Sequence, residues 1–94
     1  MEIKFEQSDS KGAFFVEENG QRLATMSISK AGDKTFIIDH TEVSDSLRGK
    51  NVGKQLVAAA VDHARKNNLN IIPLCPFAKS VFERVKEYQD VLKK

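Results

Sequence analysis

The spacing of apolar residues changes at Ser44, and that change restricts the folds open to this chain. Before Ser44 apolar and polar residues alternate in steps of two, the pattern of half-buried strands. Ile3 and Phe5 alternate with Lys4 and Glu6 in a first strand, residues 7–11 make a turn, and residues 12–17 make a second strand. Asn19-Gly20 is a strong hairpin signal, because both residues tolerate positive φ. It leads into a third strand over residues 21–30, carrying Leu23, Met26 and Ile28, and residues 31–34 turn into a fourth over 35–43. That last run is rich in β-branched residues and predicts burial on both faces.

After Ser44 the period becomes helical. Val52, Leu56, Val57, Ala60, Val61 and Ala64 form an apolar stripe in a helix from about residue 50 to 67, with Asn67-Asn68 as its stop. Residues 69–74 form a short apolar strand, and Pro76 suits the first turn of a second helix, where its missing N–H costs nothing. Phe77, Val81, Phe82, Val85 and Tyr88 make that helix's buried stripe. The order is β-β-β-β-α-β-α. This is an α/β (α+β) mixed sheet, antiparallel at first and parallel between strands four and five. Pro73 cannot donate to a ladder, so the fifth strand is expected at an edge or locally separated from its neighbour.

Ninety-four residues make about one small domain, so residues 1–94 are expected to be a single one. Fifteen Lys and Arg against 13 Asp and Glu give a net charge of +2, too small to imply nucleic acid or a membrane surface as partner. One cysteine, Cys75, excludes an intrachain disulfide and a cysteine metal cluster, and no metal site is expected. With neither an apolar leader nor a membrane-length apolar run, the expected location is cytoplasmic.

Between the fourth strand and the first helix stands Arg48-Gly49-Lys50-Asn51-Val52-Gly53-Lys54. A helix start presents unpaired N–H groups with partial positive charge, and Arg48, Lys50 and Lys54 add to it, so this loop can hold an anion. On local features alone, glycines that merely shape a turn explain it equally well. It is not a nucleotide-triphosphate loop: only three residues separate the glycines, and Gln55 stands where a magnesium-binding hydroxyl is needed.

The loop does resemble the diphosphate loop of the GNAT superfamily of acyl-CoA-dependent N-acetyltransferases, Q/R-x-x-G-x-G/A. Arg48 stands first, Gly53 last, and Asn51 replaces the middle glycine. His40-Thr41-Glu42-Val43 and Pro73-Leu74-Cys75-Pro76-Phe77 resemble segments of the family's minimal branch. The chain lacks the family's usual two helices between strands one and two, and its last two strands. The resemblance implies a GNAT-like fold and acetyl-CoA as cofactor. Val43 would meet the pantetheine arm between splayed strands, and Arg48, Gly49, Lys50, Asn51, Val52, Gly53 and Lys54 would hold the diphosphate. It also implies acetyl transfer to an amine, a protein or peptide amine being one candidate. The alternative is a non-catalytic acyl-CoA-binding module, a sensor or scaffold.

The same resemblance aligns Phe82 with the tyrosine often taken as proton donor, so that acid is missing. Cys75, just before Pro76, is expected to cap a helix, where the N–H groups favour thiolate. It is the candidate nucleophile, beside the plain reading of a buried structural cysteine. His40 and Glu42, two residues apart on one strand face, are the candidate proton acceptors. His63, among Asp62, Arg65 and Lys66, is expected on a solvated helix face.

Overall fold

The computed structural model describes residues 2–93. Strands β1 (Lys4–Ser8), β2 (Lys11–Glu18), β3 (Gln21–Lys30) and β4 (Thr35–Val43) precede helix α1 (Val52–Asn67); strand β5 (Asn70–Pro73) and helix α2 (Pro76–Arg84) follow. Short 3₁₀ turns occupy Asp45–Leu47 and Lys86–Val91. The sheet runs in the order β1-β2-β3-β4-β5, antiparallel through β4 and parallel between β4 and β5.

Turn chemistry sets the hairpins. Asn19 (φ 52°) and Gly20 (φ 77°) are both left-handed, the geometry whose twist matches that of the flanking strands. The β1–β2 connection is tighter than the expected five residues, because Asp9 takes φ 48° and the strands pair as far as Ser8 and Lys11. Asn68 (φ 56°) stops α1, with its N–H on Ala64 O.

Phe14, Met26, Ile28, Phe36, Ile38 and Ile71 meet Leu56, Val57, Ala60 and Val61 of α1 and Val81 and Phe82 of α2 in one core. The expected burial of β4 on both faces holds only at its start, where Thr35, Phe36 and Ile38 are buried; His40, Glu42 and Val43 are exposed. The Phe14-Phe15 pair divides between faces. Phe14 enters this core, and Phe15 is buried on the other face beneath the Arg22 guanidinium, 4.0 Å from its ring centre.

Two local departures shape the rest. The β3–β4 register shifts between Ser27, opposite His40, and Ile28, opposite Ile38, leaving Asp39 as a bulge that accepts a hydrogen bond from the Ser29 hydroxyl. The β4–β5 ladder ends at Ile38 opposite Pro73, and the N–H groups of Leu74 and Cys75 both fall on Ile38 O, 3.1 Å each. Beyond that point β4 runs on to Val43 with β3 alone, so the separation expected at Pro73 is present.

The second helix is shorter than its apolar spacing predicts. Val85 (φ −101°, ψ 95°) is extended and breaks it, Tyr88 falls in the following 3₁₀ turn, and Phe77 is 39 % exposed. Arg65 fastens that turn to α1 by two hydrogen bonds to the Asp90 carboxylate and one to Glu87 O. Leu92 then bridges to Ile71 on the outer edge of β5. Among the described residues no helix is long and apolar enough to cross a membrane.

Candidate active site

The loop before α1 is held from both ends. Ser44 accepts a hydrogen bond from Ser46 N–H, and Leu47 is buried in the core. Gly49 (φ 81°) and Asn51 (φ 57°) then turn the chain in left-handed conformations that most side chains resist. A helix cap is normally an extended residue whose side chain covers the first N–H groups. Asn51 is left-handed instead, and its side chain makes no such bond. Among the described residues, the N–H groups of Val52, Gly53 and Lys54 have neither backbone nor side-chain partner, and no acidic residue occupies the first turn. An uncovered helix start of this kind favours an anion.

It opens onto a cleft of about 350 Å³ lined by Thr41, Val43, Asn51, Gly53, Lys54 and Phe77. This is the place where β4 and β5 have parted. A larger hollow of about 510 Å³ at the opposite end of the sheet, between the β3–β4 turn and the end of α1, has no comparable helix start.

The proposed cofactor-binding residues divide by position. Val43, Asn51, Gly53 and Lys54 line the cleft. Val52 is buried, so only its backbone N–H is available. Gly49 supplies the turn, and Lys50 is exposed with its carbonyl taken by the Gln55 side-chain amide, 3.1 Å away. Arg48 is also exposed and paired to Asp45 at 3.0 Å.

Cys75 is the residue before α2, as the position of Pro76 predicted, and it is buried. Its Sγ donates to Thr41 Oγ1 across the parted strands, 3.5 Å away. Burial pushes the thiol pKa up, but the Thr41 hydroxyl and the N–H groups of Ala78, Phe77 and Thr41 together carry it below its ordinary value. The helix N–H groups act here as dipoles near the sulfur, since neither closes a full capping bond.

His40 and Glu42 do share a face, with His40 Nε2 3.1 Å from Glu42 Oε1. It is not the face of Cys75. Counting on from buried Ile38 in steps of two would carry His40 to the helix side. The bulge at Asp39 reverses the count, so Thr41, opposite the core residue Met26, takes that side. His40 and Glu42 lie on the sheet face that carries no helix, and both are exposed. Thr41 is therefore the site residue that reading by alternation missed; the polar Asp39 inside an apolar run was the only signal for the bulge.

The solvated position expected for His63 is overturned. Its ring lies 4.6 Å from Phe5, 5.7 Å from Phe14 and 5.9 Å from Phe36, and burial lowers its pKa. The charged neighbours in sequence point elsewhere, while position 63 falls where α1 crosses the first two strands. Phe82, at the position of the missing acid, is 1 % exposed and packs edge-on to Tyr88.

Residues 13–91 match the sequence model of the GCN5-related N-acetyl-transferase family. The chain is 32 % identical over 74 residues to protein NATD1 of Xenopus tropicalis, covering 78 % of this chain and 68 % of that one. It is 44 % identical to a GCN5-like protein from Staphylococcus aureus solved in solution, covering 98 % and 87 % of the two chains with a TM-score of 0.72. An aminoglycoside N-acetyltransferase, AAC(6')-Iy, solved in complex with CoA, shares the fold at 16 % identity, with a TM-score of 0.59 over 82 % of this chain and 67 % of that one.

Proposed function

The chain belongs to the GCN5-related N-acetyltransferase family, and on that premise we propose that it binds acetyl-CoA in the cleft beside α1 and transfers the acetyl group to an amine. The observation that carries this reading is the uncovered start of α1 opening beside the parted strands, with a thiol at their junction. The free N–H groups of Val52, Gly53 and Lys54 suit a diphosphate, and the Lys54 ammonium adds charge at the same mouth. Val43 and Thr41 line the cleft, and Cys75 lies against Thr41.

In this reading the Cys75 thiolate attacks the thioester carbonyl, and the acetyl carbon leaves the coenzyme sulfur for Sγ. An amine then attacks the acetyl-cysteine, the bond to Sγ breaks, and the thiolate returns. His40 and Glu42, on the sheet face away from Cys75, do not reach that amine, and its proton passes to water at the mouth of the cleft. Val43, Asn51, Lys54 and Phe77 leave the cleft mouth exposed, which suits an amine on a peptide or protein. A thiol that must stay reduced fits the cytoplasm.

The experiment is incubation with acetyl-CoA carrying a labelled acetyl group, followed by a mixture of amines. The expected result is label on Cys75 by peptide mass spectrometry that moves to an amine, with transfer lost and coenzyme binding kept in Cys75→Ala. Release of free CoA no faster than in buffer counts against transfer.

A second reading, a module that binds acyl-CoA without turnover, is supported by one observation. Phe82 supplies no hydroxyl, and Tyr88, packed edge-on to Phe82 in the 3₁₀ turn, does not line the cleft. Calorimetric binding with neither label on Cys75 nor transfer would select it.

A further inference from the structure

We propose that Thr41 is the positioning residue for Cys75: from the cleft wall its hydroxyl holds the buried sulfur behind it, accepting from the thiol and turning to donate once the thiol proton has left. This rests on the reading of Cys75 as the nucleophile and adds to it what holds the nucleophile ready.

Three features of the fold converge on this pair. The bulge at Asp39 carries Thr41 to the helix side of the sheet, where it lines the cleft with Val43 and Phe77. The end of the β4–β5 ladder at Pro73 removes the strand that would otherwise lie against Thr41 and leaves Cys75 in its place. The remaining gap is spanned by the Sγ to Oγ1 contact of 3.5 Å. A hydroxyl is suited to this task because it carries both a donor and acceptor lone pairs and rotates between them. A valine of the same shape could do neither.

The surroundings support the assignment. The groups that favour the thiolate are the Thr41 hydroxyl and three backbone N–H groups, all neutral; neither His40 nor any lysine or arginine is among them. The thiolate is thus set up by dipoles rather than by an ion pair, unlike a cysteine activated by a neighbouring imidazolium. Among those groups Thr41 offers the one side chain, so it is the one that substitution can remove.

The test is the rate of iodoacetamide labelling of Cys75 against pH, without acetyl-CoA, in the wild type and in Thr41→Val, Thr41→Ala and Thr41→Ser. The expected result is an apparent thiol pKa raised in the valine and alanine variants, with labelling near neutral pH slowed about three- to tenfold, the effect of losing one hydrogen bond of ordinary strength. Thr41→Ser stays within about twofold of the wild type, because it keeps the hydroxyl. Far-ultraviolet dichroism checks folding, and the alanine variant decides if the valine variant is unfolded. Equal titration in Thr41→Ala and wild type overturns the proposal, as does a titration that shifts in His40→Gln and not in the Thr41 variants. Because the labelling needs no coenzyme, a protein that fails to transfer acetyl groups yet shows the Thr41 effect loses the transfer reading and keeps this one.

Discussion

The Phe77 ring packs so closely on the first turn of α1 that a β-carbon on Gly53 would lie 2.6 Å from its Cζ and 2.7 Å from its Cε2. Gly53 is therefore required by a neighbour rather than by its own backbone conformation.

Gly53→Ala separates stability from binding. Phe77 is 39 % exposed and its far end can swing aside, and alanine is favoured over glycine in a helix by about 1 kcal/mol in its interior, less at an end. The unfolding midpoint is expected to change little. The displaced ring has the cleft to move into, so CoA affinity measured by calorimetry should fall about tenfold, by analogy with other misplaced binding groups. Adding Phe77→Ala should recover most of that loss; no recovery would mean that the ring is not the cause.

Asn51→Gly and Asn51→Val should part company. Asn51 sits at φ 57° and ψ 31°, which glycine adopts freely and a β-branched residue does not. The glycine variant is expected to match the wild type in urea unfolding. The valine variant should lose about 1–2 kcal/mol, the cost of forcing a bulky residue left-handed.

His63 should make stability depend on pH. Burial among Phe5, Phe14 and Phe36 lowers its folded pKa, so the folded chain favours the neutral ring. The unfolded chain binds a proton near pH ~6.5. Between that value and the lower folded one the unfolded state holds more protons. The His63 contribution is therefore complete above about pH 6.5 and is lost as pH falls through the folded pKa. Urea midpoints at pH 7.5 and 5.5 should differ, and His63→Leu should reduce the difference. An undiminished difference would place its origin elsewhere.

Arg48→Ala should weaken CoA binding only about two- to fivefold at physiological salt, because a fully hydrated cation already paired to Asp45 contributes little. Lys54→Ala, which removes a cation lining the cleft, should cost more and flatten the salt dependence of binding. The reverse order would move the diphosphate from the free N–H groups of α1 toward Arg48.

The residues that announce strands and turns were legible because their signals are local. Asn19-Gly20 fixes its hairpin through its own backbone preferences, and the third and fourth strands run over the residues their alternation predicts. Pro73 predicted the parting of β4 from β5 because a missing N–H acts where it stands. Asn51 was legible for the same reason. What escaped depends on packing across the fold. His63 reads as polar among charged neighbours until α1 is laid over Phe5 and Phe14. Val85 and Tyr88 continue a helical stripe in sequence, but the chain leaves the helix at Val85 and is drawn to α1 by Arg65 and to β5 by Leu92. The side on which His40 falls turns on one unpaired residue, which no periodic count includes.

That unpaired residue also makes the tip of the fourth strand a matter of parity. Were Asp39 to pair in the ladder instead, with the chain no shorter, the outer residues would turn over as a block, His40 and Glu42 moving inward against the sulfur and Thr41 and Val43 moving out; deleting Asp39 would keep His40 opposite Ser27 and Thr41 opposite Met26.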